Sequence, residues 1–338
     1  MPSDLRSKQM CELQTGVEMN QRSGLSSRRH FLKTTVAATV GLAFFGQNLS
    51  ASGQKAAVTA AQMRAGGATT KITVLLLRAG VSVLMGSGGN ILVTSGSDGK
   101  LTVDSGYATS RSQIENALST VSSEPLRHLI NTHWHFDHTD GNEWMHKAGA
   151  EIIAQAETLV RMSSYQVIPA FDADFPPSPP AALPTRVFEK AETVQINGSS
   201  IRLQRYTPAH TDTDISVFFP EANVLHTGDT WFNGYYPFID YDSGGSIHGL
   251  LAAASENLSL ADQKTIVVPG HGETGSRSDL VAFQEMLQAV QSKVAAQKRA
   301  GRPLGAVVAS KPTSEFDAKW GGGFITPELL VGLVYRGA

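Results

Sequence analysis

Thr132-His133-Trp134-His135-Phe136-Asp137-His138 places three imidazoles and a carboxylate within six residues. The cluster follows Leu126 to Asn131, an apolar run that reads as a buried strand, so the polar groups begin where that strand ends. Alternate side chains of an extended chain share a face, which lets His133 and His135 reach one metal ion. The turn after them can aim Asp137 and His138 at a second. Imidazole nitrogen and carboxylate oxygen suit zinc, with iron or manganese as alternatives.

On the N-terminal side of this cluster lie short β-type runs at Ile72 to Leu77, Val81 to Met85, Asn90 to Thr94 and Lys100 to Val103. Asp98-Gly99 marks a hairpin between the last two, because Gly takes the positive φ that such turns need. A helix is expected over 111–121 and a shorter one near Asn142 to Lys147, followed by a strand over Ala148 to Gln155. Farther on, Asn197-Gly198 joins Val194–Ile196 to Ile201–Arg205 in a second hairpin. Strands follow at Ile215 to Phe219, Val224 to His226 and Thr265 to Val268, with helices near Ile247 to Leu258, over Asp279 to Lys298, and at the C-terminus after Gly321-Gly322-Gly323. Alternating sheet and helix signals predict an α/β architecture. Five prolines between Phe175 and Pro184 exclude regular helix or central strand there and predict a surface loop able to act as a lid.

Three more candidates stand at strand-to-loop junctions: His210 in Pro208-Ala209-His210-Thr211, Asp229 in His226-Thr227-Gly228-Asp229, and His271 in Pro269-Gly270-His271-Gly272. Any one alone reads as an ordinary turn residue. Together with the cluster, and in this order, they read as a metal site exposed on loops at strand ends. His226 reads as structural, and His128, His146 and His248 as structural or surface residues.

The set His133-x-His135-x-Asp137-His138, then His210, Asp229 and His271, resembles the metallo-β-lactamase superfamily over residues 71–275. Asp104 in the Asp104-x-Gly106 turn belongs to the same resemblance. It implies an αββα sandwich, two mixed sheets back to back with helices outside and the metals at one edge. It further implies that His133, His135 and His210 bind a first ion, that Asp137, His138 and His271 bind a second, and that Asp229 bridges the two. Two divalent ions so placed can share a hydroxide, a nucleophile available near neutral pH. Asp137 is then the residue that orients this nucleophile or accepts its proton, and Asp104 fixes a ligand imidazole.

The expected reaction is hydrolysis of an ester, lactone, thioester or lactam of a small molecule. β-Lactamases of the superfamily usually carry Cys or Ser where this chain has Asp229, which favours esters and lactones. Glyoxalase II has the bridging Asp, yet residues 276–338 show no clear counterpart of its glutathione-binding helical domain. N-acyl homoserine lactonases share the ligand set and often place a Tyr three residues after the bridging Asp; here that position is Phe232, with Tyr235 and Tyr236 close enough to serve. The alternatives are a β-lactamase proper and a mononuclear-iron persulfide dioxygenase, which uses a similar ligand set. A noncatalytic binding module is disfavoured, because all seven positions hold competent ligands. Trp134, Phe136, Trp231, Phe232, Tyr235, Tyr236 and Phe238 flank the motifs and read as core residues or as the apolar wall of a small-molecule pocket.

The first fifty residues read as an address. Ser27-Arg28-Arg29-His30-Phe31-Leu32-Lys33, then an apolar run of about a dozen residues and then small residues, resembles a twin-arginine export signal. That run falls short of the ~20 residues of a membrane-spanning helix. The expected organisation is a signal peptide over 1–52, a flexible lead-in over 53–70 and a single domain over 71–338, whose last part, 276–338, is a helical extension. The expected location is periplasmic or secreted, with the twin-arginine machinery as a partner and no stable membrane span after cleavage. Cys11, the one cysteine of the 338 residues, leaves with the signal, so the mature metal site must be built from His and carboxylates. With 28 basic and 30 acidic residues the charge is −2, and loss of 1–52 makes it more negative, which excludes a general nucleic-acid binder.

Overall fold

The structure is a computed structural model that describes residues 56–338. The export-type segment expected over 1–52, and Cys11 with it, lie outside the described residues. Among the described residues no helix is long and apolar enough to cross a membrane.

The lead-in is not wholly flexible, because α1 (Ala60–Gly67) forms inside it. Thr59 and Gln62 make a capping box that satisfies donors at the helix start. Arg64 then pins the helix to the body of the protein, with its guanidinium 2.6 and 2.8 Å from the two oxygens of Asp140 and stacked 4.8 Å from the Phe136 ring. Composition alone hides this helix, since its Ala and Gly residues carry no amphipathic stripe.

Next come β1 (Thr73–Leu76), β2 (Ser82–Met85), β3 (Ile91–Gly96) and β4 (Gly99–Val103), an antiparallel series. Gly99 at φ +93 closes the β3–β4 hairpin. Beyond α2 (Arg111–Val121), β5 (Leu126–Ile130) lies parallel to β4. After α3 (Phe136–Thr139) and α4 (Asn142–Lys147), β6 (Glu151–Gln155) lies parallel to β5. The strand expected from Ala148 thus starts three residues later, because Ala148 caps α4 and Gly149 takes a positive φ. Then follow α5 (Ala156–Met162), a separate small hairpin of β7 (Gln166–Ile168) and β8 (Ala173–Phe175), and β9 (Arg186–Phe188), which joins the sheet beside β6. None of these four was expected. Strands of three residues are too short to show a period. The proline-rich stretch after β8 is irregular apart from one 3-10 turn, Pro180–Ala182.

The second sheet holds β10 (Ala191–Ile196), β11 (Ser199–Arg205), β12 (Ile215–Phe219) and β13 (Val224–His226), again antiparallel. Asn197 and Gly198, both at positive φ, make the β10–β11 turn. After α6 (Ile247–Leu260), β14 (Ile266–Val268) lies parallel to β13. The chain ends in α7 (Arg277–Arg299), α8 (Leu304–Ala309), α9 (Asp317–Trp320) and α10 (Pro327–Gly337).

Apolar residues of the two sheets meet back to back. Leu92, Val103 and Ile130 of the first join Ile201, Val217 and Val224 of the second in one buried cluster. The outer face of the first sheet is covered by α2 through Ile114 and Leu118. The outer face of the second, with Leu225 and Val267, is covered by α6, α7 and α10. The fold is therefore α/β, two mixed sheets between helical layers, as expected.

Candidate metal centre

Strand β5 delivers His133 and His135 a few residues past its end, and α3 carries Asp137 and His138 in its short turn. His210 lies in the loop from β11 to β12, Asp229 follows β13, and His271 follows β14. The loops after β5, β13 and β14 and the β11–β12 loop thus meet at one edge of the sandwich. Main-chain bonds tie them together: Asp104 N donates to Ile130 O at 2.8 Å, and Gly270 N donates to Gly228 O at 2.8 Å.

All seven residues singled out from the sequence come together there. Their ligand atoms fall into two groups, each within 4.8 Å: His133, His135, His210 and Asp229, and Asp137, His138 and His271. Asp229 also reaches the second group. Its Oδ1 is 3.1 Å from His138 Nε2, and its Oδ2 is 3.4 Å from His271 Nε2 and 3.5 Å from His210 Nε2. Asp137 Oδ2 is 3.1 Å from His271 Nε2.

Several of these atoms lie close to one another without hydrogen-bond alignment. His133 Nε2, His138 Nε2, His271 Nε2 and Asp229 Oδ1 are buried and have no aligned hydrogen-bond partner. Leaving such an atom unsatisfied costs ~1–3 kcal/mol each. Atoms that converge on common points, rather than on one another, are what a divalent ion requires, and nitrogen and carboxylate oxygen are its fitting donors.

Hydrogen bonds behind the cluster decide which nitrogen each imidazole presents. Thr132 Oγ1 donates to Asp104 Oδ2 at 2.8 Å, so it accepts from His133 Nδ1 at 3.0 Å and leaves Nε2 free. His138 Nδ1 donates to Asp104 Oδ2 at 2.7 Å, and His210 Nδ1 donates to Phe238 O at 2.8 Å. His135 is turned the other way: its Nε2 donates to Asp240 Oδ2 at 3.0 Å, so Nδ1 faces inward, 2.8 Å from His210 Nε2. Such partners set both tautomer and ring orientation. Asp240 was missed at the sequence level. It stands in no ligand motif and reaches His135 only because its amide N is bonded to His210 O.

Of the other histidines, buried His226 bonds Asn90 O and the amide of Gly228, and His146 bonds Ala150 O. Tyr236 is buried with its hydroxyl donated to Asp317 Oδ1 at 2.8 Å, so it bolts the site loop to α9 and does not stand in for a lactonase tyrosine.

Charge divides the cluster. Burial, helped by His135, lowers His210 to about 4. Burial also holds His133 well below its usual value. At His271 burial pulls the same way, but Asp229 and Asp137 outweigh it and raise the ring to about 9. His138 is likewise raised against burial, by Asp229, Asp137 and Asp104. Without metal, the carboxylates therefore hold protons on His138 and His271.

Residues 85–271 match the profile of the metallo-beta-lactamase superfamily. The chain belongs to that superfamily. Hydroxyacylglutathione hydrolase from Rhodospirillum rubrum is 30% identical over 183 residues, 53% of this chain and 62% of that protein. The hydroxyacylglutathione hydrolase from a Polaromonas species is 27% identical over 158 residues, 46% of this chain and 52% of that protein. The chain thus spans between about half and 62% of the length of these relatives. Among solved structures, a metallo-beta-lactamase from Pontibacter korlensis superposes with TM-score 0.53 at 18% identity, covering 64% of this chain and 99% of that one. A sec-alkylsulfatase from a Pseudomonas species gives 0.59 at 15% identity, covering 78% and 50%. At these identities the likeness is one of fold.

Replacing Asp104 with Ala removes the acceptor of His138 and of Thr132. A loss of ~10–100-fold in metal affinity is expected, read by competition with a chromophoric chelator on protein whose circular dichroism is unchanged. Unaltered affinity would show that Asp104 does not orient the ligands. Metal binding also requires neutral imidazoles. Loading at pH 7 should therefore release protons from His271 and His138, and the His271 contribution should fade as pH rises through about 9. Calorimetry in buffers of different ionisation enthalpy measures this; a heat independent of buffer would contradict it.

Proposed function

We propose that this protein is a metal-dependent hydrolase with two zinc ions per chain, which cleaves an ester, lactone, thioester or lactam bond of a small molecule. The observation that supports it best is Asp229, one carboxylate within reach of both donor groups. His133, His135 and His210 would hold one ion, Asp137, His138 and His271 the other, and Asp229 would belong to both. Ions held there supply Lewis-acid polarisation of a substrate carbonyl and activation of water near neutral pH.

The protein's own groups do the rest. Asp137 and His271 are the most exposed donors, their side chains 12% and 13% accessible, so substrate and water enter beside them. At this entrance the Asp137 carboxylate can accept a hydrogen bond from the attacking water and take its proton. Asp229 would hold the two groups of donors to a common centre, while the hydrogen bonds to Asp104, Asp240, Thr132 and Phe238 keep the imidazoles from rotating. The names of the similar relatives, hydroxyacylglutathione hydrolases, support hydrolysis of an acyl bond. The twin-arginine-type segment supports export of a folded, metal-loaded chain to the periplasm or beyond.

Metal analysis of reconstituted protein should find two zinc per chain, and an ester, lactone, thioester and lactam panel should show turnover. Asp137→Ala should lose at least ~100-fold in kcat. Full activity of that variant with both ions present would remove Asp137 from the reaction. One iron per chain with oxygen uptake on a persulfide would overturn the hydrolase reading. For export, replacing Arg28 and Arg29 together with Lys should retain the protein in the cytoplasm of a bacterial host, as read by cell fractionation. Undiminished export would refute the twin-arginine reading.

A further inference from the structure

Four phenylalanines from separate parts of the chain meet over one side of the donor cluster. Phe232, three residues past Asp229, packs with its ring 4.8 Å from His271. Phe238 lies 5.8 Å from His210 and 6.2 Å from His135. Phe171, at the tip of the β7–β8 hairpin, packs 4.8 Å from Phe238. Phe324, in the loop ahead of α10, completes the rim at 5.5 Å from His271 and 5.9 Å from both Phe232 and Phe171. The first three are buried and form a floor, whereas Phe324 is half-buried. The exposed donor His271 is the one that Phe324 flanks, so the aromatic rim borders the side from which solvent reaches the centre.

The four rings themselves carry neither charge nor hydroxyl, and the exposed Tyr235 packs beside them against Gly323. The lactonase tyrosine position is Phe232, and the nearby Tyr236 hydroxyl is committed to Asp317. Arg64, which stacks on the outer side of the His loop, is held by both oxygens of Asp140. A charged acyl group lying against these rings, away from the donor cluster, gives up hydration and gains no pairing charge from them. An apolar group there covers the exposed part of the Phe324 ring at no such cost.

We propose that the rim is an acyl pocket that selects substrates with an uncharged, apolar acyl group, aryl or branched alkyl, and that Phe324 is its specificity-determining residue. The inference rests on the hydrolase reading above and separates this chain from relatives named for glutathione thioesters. Phe324 is held in position from outside the site, since its carbonyl accepts from Ala57 N at 3.2 Å. The segment ahead of α1 and the C-terminal extension together build the side of the pocket.

The test compares 4-nitrophenyl phenylacetate, 4-nitrophenyl acetate and S-lactoylglutathione on the zinc-loaded full chain. The phenylacetyl ester should exceed the acetyl ester in kcat/KM by about tenfold or more, through KM, and S-lactoylglutathione should be the poorest. Phe324→Ala should collapse the phenylacetyl-to-acetyl ratio, and Phe324→Leu should restore most of it. A preference for S-lactoylglutathione, or a ratio unchanged in Phe324→Ala, overturns the proposal. Calorimetric binding of phenylacetamide against acetamide needs no turnover. If no ester, thioester, lactone or lactam is cleaved, the hydrolase reading fails by itself, and binding of phenylacetamide that Phe324→Ala weakens still supports the pocket, whereas equal binding of the two amides rejects it.

Discussion

The Asp104 carboxylate holds the site together. It accepts from Thr132 N and from Thr132 Oγ1, both at 2.8 Å, and from His138 Nδ1 at 2.7 Å. One fully buried group thereby joins the end of β4 to the loop after β5 and to α3. It also fixes two ligand rings, His138 directly and His133 through Thr132. The backbone at Asp104 has φ +66, a conformation uncommon outside Gly, so the chain tolerates strain to aim this side chain. Parallel pairing of β4 with β5, Val103 opposite Ile130, is what sets Asp104 beside the His loop.

Around that anchor the donors can approach one another only because bulk is missing elsewhere. A Cβ at Gly89 would sit 2.1 Å from the His138 ring, and one at Gly270 would sit 1.8 Å from Asp229 Oδ1. Glycine at both positions leaves room for side chains from loops far apart in sequence. The resulting cluster is costly by itself: imidazoles face imidazoles at 2.8 Å, and polar atoms lie buried without partners. Preorganisation of this kind trades stability of the empty protein for fixed ligand geometry.

Much of this was legible from residues alone. The seven donors stand in motifs whose spacing carries the chemistry, and Asp98-Gly99 and Asn197-Gly198 announce their hairpins through the positive φ of the turn. The parts that were not legible share a physical cause. Helix α1 has a capping box but no apolar stripe, and β7, β8 and β9 are each three residues long. Such elements owe their form to contacts with distant segments rather than to local preference. Asp240 was hidden for the same reason, as its partner His135 lies 105 residues away. Of the two tyrosines expected to be close enough to serve, Tyr236 points its hydroxyl at Asp317 instead, because chain proximity to Asp229 says nothing about side-chain direction.

From the sequence by itself came the family, the α/β sandwich and the seven candidate metal donors, because a ligand must be a particular chemical type and strands of period two reveal themselves in order. Tertiary structure alone decided which ring nitrogen each histidine presents, that Asp229 reaches both groups, and that Phe171, Phe232, Phe238 and Phe324 stand together at the entrance. Tautomer, the reach of Asp229 and the meeting of the four rings all depend on distances between residues remote along the chain, and those distances exist only once the two sheets have packed.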